Sequence, residues 1–254
     1  MTGTVRIDSF PESAQRYRAR YAIVAIDVIR ATTTATTALS LGRRVFPART
    51  SDEASVIAAS LDNPLLVGEL GGNTPYGFDL TNSPAQLATR SDTHRPMVLV
   101  SSSGTQLIVN ADGSEAVFLA CLRNYSAVAR HVAGRHSRVA VIGAGTRGQF
   151  RREDQIGCAL VAQRLVALGY IAENQQTVDY LRRWQEATVD VLREAIGSGN
   201  SAEYLRRSEQ EHDLDFILTH FDDLAVVPSL VAGELVDAVV ARSGLAQAAV
   251  FSGE

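Results

Sequence analysis

The chain has 254 residues, 46 % of them hydrophobic and 20 % charged, with a formal net charge of −4. That length can bury a sizeable core, while the acidic balance argues against broad nucleic-acid binding, which needs a basic face. No apolar run approaches the roughly 20 residues that span a bilayer, the N-terminus lacks an apolar signal core, and Cys121 and Cys158 sit in apolar surroundings without CxxC spacing, so a cytoplasmic protein with two core cysteines is expected.

Apolar runs at 4–7 and 21–26 predict strands, and Asp27-Val-Ile-Arg-Ala-Thr-Thr-Thr follows the second. An acid and a base at the end of a buried strand stand where an α/β sheet keeps its chemistry. The spacing predicts a helix over 31–41, ended by Gly42. Its first turn would point backbone N–H groups and the hydroxyls of Thr32, Thr33 and Thr34 at one spot, a pocket that suits a phosphate. Asp27 can bind a hard cation or attack phosphorus, and Arg30 supplies the planar fork that grips oxyanions. The structural alternative is an Asp–Arg pair beside a Thr-rich N-cap.

A helix is predicted over 52–61 behind Ser51, then a strand over 65–68 that ends at Glu69. The following loop is dense in polar groups, with Asp79, and with Asn82 and Ser83 as turn residues before Pro84. Strand 97–101 runs into Ser101-Ser-Ser-Gly-Thr105 ahead of a helix over 106–110, either an oxyanion cradle or a glycine-permitted N-cap. Strands 116–120 and 138–142 follow. Gly143, Gly145 and Gly148 have G-x-G-x-x-G spacing, but the stretch where a dinucleotide fold needs a second strand and its acid, 167–174, continues into polar helical sequence. A dinucleotide site is therefore not expected.

Glu153 to Leu168 reads as a core-facing helix stopped by Gly169, with Glu153 and Asp154 in its first turn. Gln175 to Ile196 reads as one long amphipathic helix whose stripe is core or subunit contact, which makes a homodimer reasonable. Short strands are expected at 216–218 and 225–227. The alternation implies right-handed crossovers and an α/β fold, a mainly parallel or mixed sheet in a layered α/β/α arrangement. We expect a single α/β domain over 1–254 with a helical extension at about 172–212.

Five stretches carry a resemblance: Asp27 to Thr34, Gly68-Glu69, Gly77-Phe-Asp-Leu-Thr-Asn-Ser-Pro84, Ser101 to Thr105, and Gly148-Gln-Phe with Glu153-Asp154. In that order they resemble the 2-phosphosulfolactate phosphatase family, the Mg-dependent phosphatases of coenzyme M biosynthesis. The resemblance covers roughly residues 20 to 240 and is carried by the combination. It implies a small anionic phosphorylated substrate, (R)-2-phospho-3-sulfolactate, and Mg²⁺ as cofactor.

On that reading Asp27, Glu69 and Asp79 are candidate magnesium ligands, meeting if strands 21–26 and 65–68 are neighbours. Asp27, Arg30, Glu153 and Asp154 are candidate catalytic groups. Asp27 could instead form an acyl-phosphate, and Glu153 or Asp154 could orient water or simply favour the helix start. Thr32, Thr33, Asn82, Ser102, Ser103, Gly104, Thr105, Arg123 and Arg147 are candidate substrate contacts, Arg147 for a carboxylate or sulfonate. Ser103 departs from the family's usual asparagine in Thr-Thr-Asn-Gly-Thr. Two alternatives stand beside this reading: a phosphatase for another phosphorylated 2-hydroxy acid, and a non-catalytic phosphometabolite-binding protein. Ile29 stands where a D-x-D-x-T phosphatase has its second aspartate, which disfavours the haloacid-dehalogenase class.

Overall fold

In the computed structural model, which describes residues 2–146 and 148–240, β1 (Thr4–Ser9) passes through a 3-10 turn into the short α1 (Ala14–Tyr17). Then β2 (Ala22–Ile26) leads to α2 (Ala31–Ser40), β3 (Val45–Ala48) to α3 (Ser51–Ala59), and β4 (Leu65–Gly68) to α4 (Pro84–Ala88). In the same way β5 (Met97–Val100) precedes α5 (Gly104–Asn110), β6 (Ala116–Ala120) precedes α6 (Tyr125–Val132), and β7 (Arg138–Gly143) precedes α7 (Arg152–Ala167). After β8 (Ile171–Ala172) come α8 (Gln175–Trp184), α9 (Val189–Gly197), α10 (Asn200–Arg207) and α11 (Glu211–Thr219), then β9 (Pro228–Val231) and β10 (Glu234–Asp237).

The sheet order is β4-β5-β3-β10-β9-β6-β2-β7-β1-β8. Two parallel blocks, β4-β5-β3 and β6-β2-β7-β1-β8, are spliced by the antiparallel β9–β10 hairpin through Leu235 opposite Val45 and Ser229 opposite Phe118. Helices cover both faces, as the layered α/β/α reading requires. β2 is wholly buried because it pairs with β6 and β7 and has helices above and below, which is why it is apolar throughout instead of alternating. Val24 and Ile26 join the core with Val128 of α6 and Ile156 of α7; Ile23 and Ala25 join the opposite core with Ala35 of α2 and Leu107 of α5.

Several expectations change. β3 has no clear strand signature because Pro47 breaks its apolar pattern; the proline is tolerated since β10 meets β3 only at Val45. The expected 175–196 helix is two, because Thr188 caps a second start by accepting Val191 N–H. Its stripe, Leu181, Trp184, Leu192 and Ile196, packs into the chain's own core, so it lends a homodimer no support. Residues 216–218 belong to α11, where Leu214 and Ile217 share the buried face, and 225–227 precedes β9; the strands lie later, joined by Ala232 and Gly233, both with positive φ as a tight hairpin turn demands. Finally, β8 does exist, but it pairs with β1 and not with β7, so no dinucleotide fold results. Thr50, not Ser51, caps α3. No helix among the described residues is long and apolar enough to cross a membrane.

Candidate active site

The turn after β2 is built by its own threonines. The Thr32 hydroxyl donates to the Asp27 carbonyl at 2.8 Å and accepts the Asp27 N–H at 3.0 Å, while Thr33 donates to the Val28 carbonyl at 2.8 Å and Thr34 to the Arg30 carbonyl at 3.0 Å. These hydroxyls therefore do not converge on a ligand as expected; backbone groups in the turn take them first. The Ile29–Arg30 peptide is cis. What the turn presents is Asp27, 7 % exposed, whose carboxylate accepts the Ala31 N–H at the start of α2.

Asp27 opens into a cavity of about 420 Å³, a size that suits a small metabolite. Arg30, Glu69, Asn82, Ser102 and Ser103 share its wall. Strands β2 and β4 are not neighbours: β5, β3, β10, β9 and β6 lie between them. Their carboxyl ends still meet because the twisted sheet coils round. The contact is tight at Gly104, where a Cβ would lie 2.2 Å from Asp27 Oδ2 and 2.4 Å from Ala31 Cβ. Gly104→Ala is accordingly expected to destabilise the fold by about 1–3 kcal/mol through overpacking, and to lower turnover about 10²-fold by displacing Asp27. Near-normal kinetics in that variant would contradict the packing described.

The carboxylates set the electrostatics. Glu69 accepts Ser102 N–H at 2.7 Å, Ser102 Oγ at 3.0 Å and Gly72 N–H at 2.8 Å. Burial first, then the charge of Glu69, pushes Asp27 up to about 7. Glu153, 1 % exposed, is raised mainly by burial although Ser201 hydrogen-bonds it. Asp154 is raised by burial and by Asp27 and Glu153, against the pull of Val28 N–H at 2.9 Å and Gly145 N–H at 3.0 Å. Both of its oxygens are thus engaged, and Asp154 braces the β2 turn against the glycine loop; it does not line the cavity. The positive φ of Gly145 is what lets that loop present its N–H.

Several predicted contacts lie elsewhere. Asp79 accepts the Leu66 N–H at 2.8 Å and faces Arg95, because the loop folds back along β4 through the Val67–Leu80 bridge. It is not brought to Asp27 and Glu69, and among the described residues no group of three or more His, Cys, Asp or Glu could hold a metal. Arg123 makes a two-pronged pair with Asp223, at 3.1 and 2.6 Å, and lies over Phe216, so it pins α11 and does not face the cavity. The Thr105 hydroxyl closes on the Ser101 backbone. Arg147 lies outside the described residues. Both cysteines are buried with their thiols raised by burial, as core residues should be.

The partners of Arg30 and part of the cavity wall had no sign in the sequence. Arg30 is 5 % exposed and spends Nη1 on Gln210 and Asp213, each at 2.5 Å; Nη2 has only Thr81 at 3.5 Å. Asp213 also accepts Ser83 Oγ at 2.5 Å and Ala85 N–H at 3.1 Å, tying α11 to the start of α4. Arg151, with Nε unpartnered, and Ser201 and Tyr204 of α10 complete the wall, the Tyr204 hydroxyl reaching the Gly72 carbonyl at 2.8 Å. The Asn82 Oδ1 atom is also buried without a partner. A helix rich in exposed charge gives no sign that one of its acids is buried, so Asp213 had no local signature.

The comparison with known proteins follows the same residues. The family model described as 2-phosphosulpholactate phosphatase matches residues 8–233. A Deinococcus radiodurans protein named probable 2-phosphosulfolactate phosphatase is 33 % identical over 245 residues, covering 94 % of this chain and 98 % of its own. Proteins of the same name from Caldanaerobacter subterraneus and Thermotoga maritima are 29 % and 31 % identical, each covering 83 % of this chain and 88 % and 89 % of their own. With Asp27, Arg30, Glu69 and the 101–104 loop gathered on one cavity inside the matched region, the chain belongs to the 2-phosphosulfolactate phosphatase family of phosphoric monoester hydrolases.

Proposed function

We propose that the protein is a Mg²⁺-dependent phosphatase that hydrolyses (R)-2-phospho-3-sulfolactate to 3-sulfolactate and phosphate. The observation that carries this is the meeting of two carboxylates, Asp27 and Glu69, with two guanidinium groups, Arg30 and Arg151, on one cavity. The donor set suits the metal: hard oxygens crowd together, and like charge helps to raise Asp27. Asp27 and Glu69 would hold the ion, since magnesium takes one or two carboxylates and fills its other places with water and substrate phosphate. When bound it neutralises phosphate charge as the ester bond breaks.

The protein's own groups do the rest. Arg30 Nη2 and the Ser103 hydroxyl steady the remaining phosphate oxygens. Arg151 grips the substrate's carboxylate or sulfonate. Glu153, through Ser201, orients the attacking water. Water adds to phosphorus, the P–O bond breaks, and the departing oxygen takes a proton. Phosphate release from 2-phosphosulfolactate, with Mg²⁺ and with EDTA, tests this. Release only with the metal supports it; turnover unaffected by EDTA would refute the metal, and preference for phospholactate or phosphoglycolate would favour the other 2-hydroxy acids, a reading that Ser103 motivates.

A pH effect accompanies the buried carboxyls. The folded protein holds Asp27, Glu153 and Asp154 protonated to higher pH than the unfolded chain does. The stability they contribute is full below about pH 4 and is lost as pH rises through about 7, the Asp27 value. In EDTA the melting temperature should therefore fall from pH 5 to pH 8, and Mg²⁺ should restore it at pH 8 but hardly change it at pH 5. A flat profile, or equal stabilisation at both values, would sink the metal assignment.

A further inference from the structure

A second cavity, of about 580 Å³, lies at the amino ends of β2 and β7, the strands whose carboxyl ends carry Asp27 and the glycine loop. The five residues of β2 separate Tyr21, on the wall of this cavity, from Asp27, on the wall of the first, by about 20 Å. Period-two alternation sends Val5 and Ile7 of β1 into the core and turns Arg6 and Asp8 to the other face. There they meet Arg138 of β7 and the segment around α1, which brings Arg16, Tyr17, Arg20 and Tyr21.

Four guanidinium groups thus converge in a chain of net charge −4, and two nearby carboxylates answer them, Asp8 on the wall and Glu173 beside Arg138. Both are already engaged. Asp8 accepts Ser9 N–H at 2.7 Å and Tyr17 hydroxyl at 2.5 Å, and Glu173 accepts Tyr21 hydroxyl at 2.7 Å and pairs with Arg138 at 2.8 Å. The guanidinium groups of Arg6, Arg16 and Arg20 make no ion pair or hydrogen bond among the described residues, and Arg6 Nε is buried without a partner. Arg6 and Arg138 are held over the Tyr17 and Tyr21 rings at 5.9 and 4.2 Å, which orients their forks in advance. Self-repelling cations gathered around an open cleft, Arg16 and Arg20 at its exposed rim, are stabilised by an anion that bridges them.

We propose that this cavity is a second, non-catalytic binding site for a small polyanion bearing at least two oxyanion groups. The proposal is independent of the phosphatase reading. Inorganic pyrophosphate, titrated calorimetrically at low salt without Mg²⁺, is the probe. Wild type and R151E, which blocks the anion grip of the first cavity, should both bind it. R6Q and the exposed pair R16Q/R20Q should each bind about tenfold more weakly or worse, the loss of one or two charge-assisted hydrogen bonds, and binding should weaken with added NaCl. R16Q/R20Q alters surface positions only, so its melting temperature serves as the folding control. Binding that is abolished by R151E alone, or unchanged in both R6Q and R16Q/R20Q, would overturn the proposal.

Discussion

Asp213→Ala should lower the free energy of unfolding by about 3–5 kcal/mol, the largest stability effect expected of any single change here. Asp213 is fully buried, and its removal leaves Arg30 with an uncompensated buried charge and strips partners from Ser83 and the Ala85 N–H. Breaking one side of such a pair costs far more than the pair is worth, because the surviving charge cannot recover its hydration. Equilibrium urea unfolding measures it. The Arg30→Met, Asp213→Leu double variant should regain much of the loss, since an apolar pair of similar volume needs no counter-ion, yet it should stay inactive because Arg30 faces the cavity. A single-variant loss below about 1 kcal/mol would show that Arg30 finds water or another acceptor, against the burial described.

Asp27→Asn should act in opposite directions on activity and stability. Asparagine keeps the size of the side chain but removes the charge, so turnover should fall about 10²–10⁴-fold, the range of a lost acid, base or charge-stabilising group. In metal-free buffer at pH 8 the same variant should melt higher than wild type. Asp27 is pushed up by burial and by Glu69, so ionising it at that pH costs the folded state, and the amide carries no such penalty. The rise separates lost chemistry from lost folding. Full activity would remove Asp27 from the mechanism; a lower melting temperature would show that its charge is compensated within the protein.

The apolar run 21–26 and its polar punctuation locate β2, Asp27 and the start of α2, because burial on both faces demands an unbroken apolar strand and the chain's next polar residues must mark its end. Glu69 and the 101–104 loop were legible for the same reason, each ending a strand on the cavity. The threonine hydroxyls after Asp27 turn to the backbone because a hydroxyl beside a free backbone group is captured by it before any ligand arrives. Asp79 lies away from Asp27 and Glu69 because the 67–84 loop doubles back along β4, a choice made by edge hydrogen bonds with no signature in residue type.

The sequence by itself determined the α/β class, the layered arrangement, the strand-end position of the candidate site residues Asp27 and Glu69, and the family, since hydrophobic periodicity and motif order are properties of neighbouring residues. Only the tertiary structure decided which residues finish the site. Arg30 meets Asp213 across 183 positions, and Arg151, Ser201 and Tyr204 join the wall from the glycine loop and a helix far along the chain. Such contacts depend on how the β9–β10 hairpin splices two parallel blocks and on how far the sheet then coils. Those are sums of many weak packing terms spread over the molecule, and no single stretch of sequence records them.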